Sequence, residues 1–178
     1  MRITRTILAI ATSAAIGLGA LAVPAAEALV PAPAVVISPK IDVLSVAQRC
    51  TALVNYYRRV NGRRAVVIDV RIQAAAQLHS NYQARKSLMT HTGYWWNGAK
   101  WLPTDAGFRE KLQKYTWSWW GENVAAGQAN CDVVVKAWMN SPHHRDNILN
   151  PNFTHIGVAA RKSVKGTIFW TMDFGRPG

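Results

Sequence analysis

The hydrophobic period changes once along the chain, and that change limits the folds open to it. Through VAQRCTALVNYYRRVNG, Val46, Cys50, Leu53, Val54 and Tyr57 recur at helical i, i+3, i+4 spacing, and Asn61-Gly62 supplies a stop. The next stretch predicts a helix from about Asp69 to Leu88, with Asp69 as N-cap and a buried stripe of Ile72, Ala75, Ala76, Leu78 or His79, and Tyr82. Glycines, Pro103 and aromatic clusters break the pattern between His91 and Gly121, apart from a short helix at Ala106 to Lys114. Another helix follows the N-cap candidate Asn130 through CDVVVKAWMN, and Ser141-Pro142 opens a further short turn. Only then do HIGVAAR and TIFWTMDFG, joined by KSVKG, read as a β-hairpin. Helices first, strands mainly last and no βαβ alternation predict an α+β fold with antiparallel strands.

The ends of the chain and its charge narrow the setting. Arg2 and Arg5 precede an uncharged run from Ile7 to Val23, and Ala26-Glu27-Ala28 offers small residues for cleavage, so residues 1–28 read as a secretory signal. A membrane anchor is the alternative, but the run is shorter and richer in Ala and Gly than a spanning helix of about 20 apolar residues. Residues 29–43, with Pro31, Pro33 and Pro39, read as an extended linker, and 44–178 as one domain. Without the leader, 19 basic and 8 acidic side chains leave a net charge of +11, so the basicity belongs to the domain. Export makes the two cysteines, Cys50 and Cys131, a disulfide rather than two free thiols. Closing a loop of that length stabilises by about 4.5 kcal/mol on the chain-entropy view.

No local spacing announces a reaction: there is no H-E-x-x-H, C-x-x-C or G-x-S-x-G. The ordered segments do carry a likeness. Met89-Thr90-His91-Thr92, Gly121-Glu122-Asn123-Val124-Ala125-Ala126-Gly127, Ala137 through Leu149 (AWMNSPHHRDNIL), Phe153-Thr154-His155-Ile156-Gly157-Val158 and Trp170-Thr171-Met172-Asp173-Phe174-Gly175 resemble the motifs of the CAP superfamily. That superfamily takes in cysteine-rich secretory proteins, antigen 5 and pathogenesis-related proteins, and the chain is most similar to its bacterial exported branch. The resemblance implies a three-layer α-β-α sandwich with a mainly antiparallel sheet, and a strand from the Gly121-Glu122-Asn123 segment paired with the terminal hairpin.

It also implies a cleft of two His and two acids able to hold zinc or another divalent cation. The matching positions are His91, Glu122 and His144, but the fourth falls on Lys136. His143 and His155 are secondary cleft candidates. Zinc would accept two imidazoles, a carboxylate and a water, and Glu122 is the catalytic candidate if the site turns over a substrate. The loss of the second acid weakens two-carboxylate schemes. The other reading has Glu122, His91 and His144 holding loops together. His79 reads as a packed core residue, Arg145 and Asn147 as ties between the short turn and the hairpin, and Asp173 as a hydrogen-bond partner.

Two surface features remain. Arg58, Arg59, Arg63 and Arg64 form the densest cationic cluster, either a solvated helix end or a patch for an anionic envelope polymer or membrane. No recognition-helix or RNP pattern supports nucleic acid. Six of the eight Trp lie between Trp95 and Trp120. They either fill the core over the cleft or form an aromatic groove, with Trp95, Trp96, Trp119 and Trp120 as its members, for a lipid, sterol or other small apolar ligand. Alternation predicts Trp117 and Trp119 on one strand face and Trp120 elsewhere. The expected protein is a monomeric, secreted binding protein. The alternative is a metal-assisted hydrolase of peptide or cell-wall amides.

Overall fold

A computed structural model describes the backbone of residues 43–178 and the side chains from Val46 onward. The expected leader and nearly all of the expected linker lie outside the described residues. The elements are α1 (Val43–Val60), β1 (Val67–Ile68), α2 (Val70–Lys86), β2 (Gly93–Trp96), β3 (Trp101–Thr104), α3 (Ala106–Leu112), β4 (Trp117–Ala126), α4 (Cys131–Asn140), α5 (Pro142–Leu149), β5 (His155–Lys162) and β6 (Ile168–Pro177). A four-stranded sheet runs in the order β1-β5-β6-β4. Its β5-β6 and β4-β6 pairs are antiparallel and its short β1-β5 pair is parallel. This is the α+β sandwich with a mainly antiparallel sheet, and β4, which carries Glu122, pairs with the terminal hairpin as expected.

Strand alternation sorts the sheet into two unlike faces. Ala125 of β4, Trp170, Met172 and Phe174 of β6, and Ile156 and Val158 of β5 turn toward α1, α4 and α5. They meet Cys50, Val54, Val134, Val135, Trp138 and Ile148 in one apolar core. The opposite face carries Glu122, Asp173 and Thr171 under α2 and α3, whose buried residues include Gln73, His79, Ser80, Gln83, Arg109 and Glu110. One layer is held by exclusion of water, the other by hydrogen bonds.

The polar layer explains how α2 is fixed to the sheet. Strand β1 is two residues long, so it leaves the outer edge of β5 without a strand partner beyond Ile156. The Gln73 side chain takes over: its amide donates to Val158 O at 2.8 Å and its carbonyl accepts from Val158 N at 2.9 Å, as a neighbouring strand would. The helix comes so close that a Cβ at Gly157 would run into the backbone of Ile72 and Gln73. Ser80 and Gln83 each donate to Thr171 Oγ1 at 3.0 Å. Asp69 caps α2 through Arg71 N, Asp105 caps α3 through Phe108 N and Asn130 caps α4 through Val133 N.

Two ties close the apolar layer. Cys50 and Cys131 form the disulfide, joining α1 to the start of α4. Arg58 supplies the second tie and corrects its assignment to the surface cluster. It is fully buried, with Nε donating to Arg64 O, Nη1 to Ile148 O and Asn150 O, and Nη2 to Phe153 O. Burial lowers its pKa, and the nearby Arg63 charge adds to the effect. Arg59, Arg63 and Arg64 remain exposed. A second correction concerns β4. The register shifts between Trp117 and Trp119, so the two indoles do not share a face; Trp117 stacks edge-on against Trp120, and both rings crowd Gly107 of α3.

Replacing Arg58 by Met should leave four carbonyls unserved and cost about 3–5 kcal/mol in urea unfolding, whereas Arg63→Met should cost under about 0.5 kcal/mol. Equal costs would contradict the clamp. Glu110 gives a pH-dependent counterpart. It is buried with neither carboxyl oxygen hydrogen-bonded among the described residues. Burial, reinforced by the Glu122 charge and partly offset by Arg109, pushes it up to about 8. Its contribution to stability is therefore full below the unfolded carboxylate range near pH 4 and is lost as pH rises to 8. Glu110→Gln should leave the melting temperature unchanged at pH 4 and raise it by about 4 °C or more at pH 8; a gain independent of pH would refute this account.

Candidate functional site

Strand β4 is an edge strand, and Glu122 sits on its polar face directly across from Asp173 of β6. The chain supplies partners for Glu122 from two directions. His91, five residues past the end of α2, places Nδ1 2.9 Å from Glu122 Oε1, and Arg109 of α3 donates through Nη2 to Oε2. Arg109 is itself held by Nη1, which donates to His91 O and Thr104 O, both at 3.2 Å. His79 Nε2 lies 3.8 Å from the same Glu122 oxygen and donates to Thr90 O at 2.6 Å. His79 is thus the buried residue expected, and it forms one wall of the Glu122 site.

The charges settle accordingly. Burial alone would raise the Glu122 pKa, but the hydrogen bond from His91 and the charge of Arg109 bring it below the usual range, so the carboxylate is ionised. The bond to Glu122 raises His91, against a smaller opposing effect of burial. Burial, together with Arg109, drives His79 down to about 4, so its ring is neutral at neutral pH. Asp173 is fully buried with neither oxygen hydrogen-bonded among the described residues; burial and the facing Glu122 charge push it well up, and it stays protonated. Glu122 is therefore the one ionised carboxylate of this cluster, and both of its oxygens are engaged.

His144 lies on α5 across the edge of β4. Its pKa is lowered by partial burial and by the charges of His91 and His143. The helix is registered on β4 by Asn147, whose Nδ2 donates to Glu122 O and Asn123 Oδ1, and by Asn123, whose Nδ2 donates to His144 O. Asn147 thus ties α5 to β4. His143 is exposed, and Lys136 is on the exposed side of α4, opposite Val134, Val135 and Trp138. His155 starts β5, where its Nδ1 meets Tyr115 Oη at 3.0 Å, in register with Gly175 of β6, which separates it from Trp120 of β4. His91 and Glu122 are in direct contact, and His144 is near enough for the His91 charge to lower its pKa. Lys136, His143 and His155 make no hydrogen bond or ion pair with Glu122.

The donor set bears on a metal. Among the described residues, no three His, Cys, Asp or Glu side chains are grouped to hold one. Glu122 is buried behind His91 and Arg109, which occupy one site on each of its oxygens. The His91 side chain is 61% exposed and has its second ring nitrogen free of Glu122, which leaves that imidazole open to a ligand with a carboxylate behind it.

The aromatic residues divide. Trp95 packs on Phe108 and Trp96 on Trp101 in the β2-β3 hairpin, Trp119 is exposed on β4, and Trp120 is half-buried against Trp117. Sequence reasoning missed two features here. The β2-β3 hairpin turns at Gly98, and its strands are too short for alternation to register. Arg109 reads as an ordinary helix cation, although Ala106, three residues earlier, shares its buried side.

Comparison with known proteins agrees with this architecture. The model of the CAP family, described as the cysteine-rich secretory protein family, matches residues 51–174. The uncharacterized protein YkwD of Bacillus subtilis (strain 168) is 36% identical over 127 residues, 71% of this chain and 46% of YkwD. The uncharacterized membrane protein YlbC of the same strain is 33% identical over 54 residues, 30% of this chain and 14% of YlbC. The chain thus spans less than half the length of either relative. An extracellular protein of Bacillus anthracis containing a SCP domain superposes with a TM-score of 0.64 at 25% identity, covering 75% of this chain and 41% of that one. An outer surface protein of Borrelia burgdorferi shares the fold, with a TM-score of 0.62, 22% identity and coverage of 80% and 97%. Motif order, sheet topology and the matched family model agree: the chain belongs to the CAP family of cysteine-rich secretory proteins and is a secreted, disulfide-bonded CAP-domain protein.

Proposed function

We propose that the protein acts outside the cell by binding, through the cleft at the β4 edge between His91 and His144. The observation that carries this reading is the state of Glu122. A general base needs a free lone pair directed at its substrate. The Glu122 carboxylate is instead buried, its side chain 4% exposed, with one oxygen held by His91 and the other by Arg109, so its remaining lone pairs do not face solvent, and the facing Asp173 is buried and protonated. An arrangement of that kind favours a fixed recognition surface over proton transfer. The ligand classes that suit an exported, basic protein are anionic envelope polymers, lipids and small apolar molecules.

A divalent cation such as zinc would be held by His91 and His144, with Glu122 orienting His91 from behind. When bound it would supply a Lewis-acidic anchor for a ligand oxygen. The chain's own contribution is positional: Glu122 fixes the His91 ring, Arg109 fixes Glu122, and Asn147 and Asn123 fix the helix that carries His144.

Calorimetric titration with zinc should give saturable heat for the wild-type protein and at least a tenfold weaker interaction for the His91→Ala, His144→Ala double variant. Glu122→Gln should weaken binding by about 10-fold to 100-fold, the range for losing the orienting partner of a metal-bound His. Peptide and cell-wall substrates incubated with zinc should remain intact. Zinc-dependent cleavage that disappears in Glu122→Gln would overturn the binding reading in favour of hydrolysis.

A further inference from the structure

A second site lies between the C-terminal half of α2 and the β2-β3 hairpin. Two cavities, of about 110 and 410 Å³, share Tyr82, Arg85 and Tyr94 as walls. The smaller adds Gly93, His79, Thr104 and Arg109 at its polar end with the apolar Leu78, Trp95 and Leu112, and the larger adds Lys86 and Trp101. None of these residues belongs to the apolar core.

The inner end is built by an absence. Gly93 has no side chain, and a Cβ placed there would sit 2.9 Å from Thr104 Oγ1, 3.3 Å from His79 Nδ1 and 3.7 Å from Arg109 Nη1. Those contacts show that Thr104 Oγ1 and His79 Nδ1 converge beside the glycine, and that any side chain there would intrude on the cavity both residues line. His79 donates through Nε2 to Thr90 O, which leaves Nδ1 as a bare acceptor in the neutral ring, and that nitrogen is buried with no partner among the described residues. Thr104 offers a rotatable hydroxyl. The spot therefore asks for a group that both donates and accepts. A hydroxyl does; a carboxylate cannot donate to His79, and an acyl chain would strip water from these atoms and return no hydrogen bond.

Outside this cradle the chemistry changes. Tyr82, Tyr94 and Trp101 line the wider cavity, Trp101 being 64% exposed, while Arg85 and Lys86 add two positive charges. We propose that this pocket binds an acidic glycan, one sugar hydroxyl seated between His79 Nδ1 and Thr104 Oγ1, the ring faces stacked on Tyr82, Tyr94 and Trp101, and the acid group of a neighbouring unit paired with Arg85 and Lys86. The acid can be a carboxylate or a phosphate, since both suit two cations beside an aromatic wall. The net charge of +12 over the chain steers such a polymer toward the protein. The proposal rests on the reading of the protein as an extracellular binder, but not on the His91–His144 cleft.

The test is intrinsic Trp fluorescence and calorimetry on the full chain with oligogalacturonate, glucosylated poly(glycerol phosphate) and neutral cello-oligosaccharide. At least one acidic probe should bind, more tightly than the neutral one and at least tenfold more weakly in 0.5 M salt than in 0.05 M. The tighter of the two acidic probes identifies the acid group. Gly93→Ala, which fills the cradle, should weaken binding tenfold or more while keeping the wild-type response to zinc. The His91→Ala, His144→Ala double variant should bind the glycan as wild type does, so failure of the cleft and failure of the pocket read separately. Trp101→Ala, on an exposed position, carries the test if Gly93→Ala unfolds, and should cost tenfold or more. Absence of binding by both acidic probes, unchanged affinity in the folded Gly93→Ala or Trp101→Ala protein, or displacement of the probe by a fatty acid would overturn the proposal.

Discussion

The Arg109–Glu122 ion pair organises the polar half of this domain. A buried carboxylate survives only where positive charge and hydrogen bonds replace the water it has lost. Here the guanidinium of α3 meets one oxygen and His91 the other. That single demand draws three otherwise separate pieces to the edge of β4: the segment after α2, helix α3 and the hairpin residue Thr104, whose carbonyl helps hold Arg109. With Glu122 ionised, a second charge across the strand pair is disfavoured, and Asp173 accordingly keeps its proton. A neutral His79, an ionised Glu122 and a protonated Asp173 are one electrostatic solution reached together.

The two faces of the sheet obey different rules. Toward α1, α4 and α5 the contacts are apolar and interchangeable in kind, so volume is what the sequence must conserve there. Toward α2 the contacts are directional. Gln73 stands in for a strand that ends after Ile68, and Ser80 and Gln83 meet Thr171. Such contacts leave α2 no freedom to slide: a displacement by one residue would leave Val158, Ala159 and Thr171 unpaired. Gly157 permits the approach that makes these bonds possible.

The long periodic elements could be read from the chain because their periods are set by burial. The stripes of α1 and α2, the caps Asp69 and Asn130, the terminal hairpin and the disulfide all follow from local pattern and compartment. What escaped was non-local. Arg58 follows Cys50 and Val54 at i+8 and i+4, so it lies on the core stripe; its charge masked a placement that the period already indicates. Strand β1 has two residues, too few for alternation. The bulge between Trp117 and Trp119 inverts the alternation that a straight strand would show. Of the site, the family motifs mark His91, Glu122 and His144, whereas Arg109 is visible only once α3 is laid against β4. Lys136 answers to α4's outer face and Asp173 to the sheet register, and neither can be judged from spacing.

The ties on α5 have a consequence for how the cleft meets a ligand. This eight-residue helix is held by main-chain carbonyls at its C-terminal end through Arg58 and at the β4 edge through Asn123 and Asn147. Its N-terminus follows α4, itself covalently joined to α1. The gap between His144 and His91 is therefore set before any ligand arrives, and the ordering entropy that a hinged jaw would lose on closing has already been lost in folding. A ligand bound there, as proposed, would be selected by fit to a fixed aperture, with that selectivity written in backbone geometry.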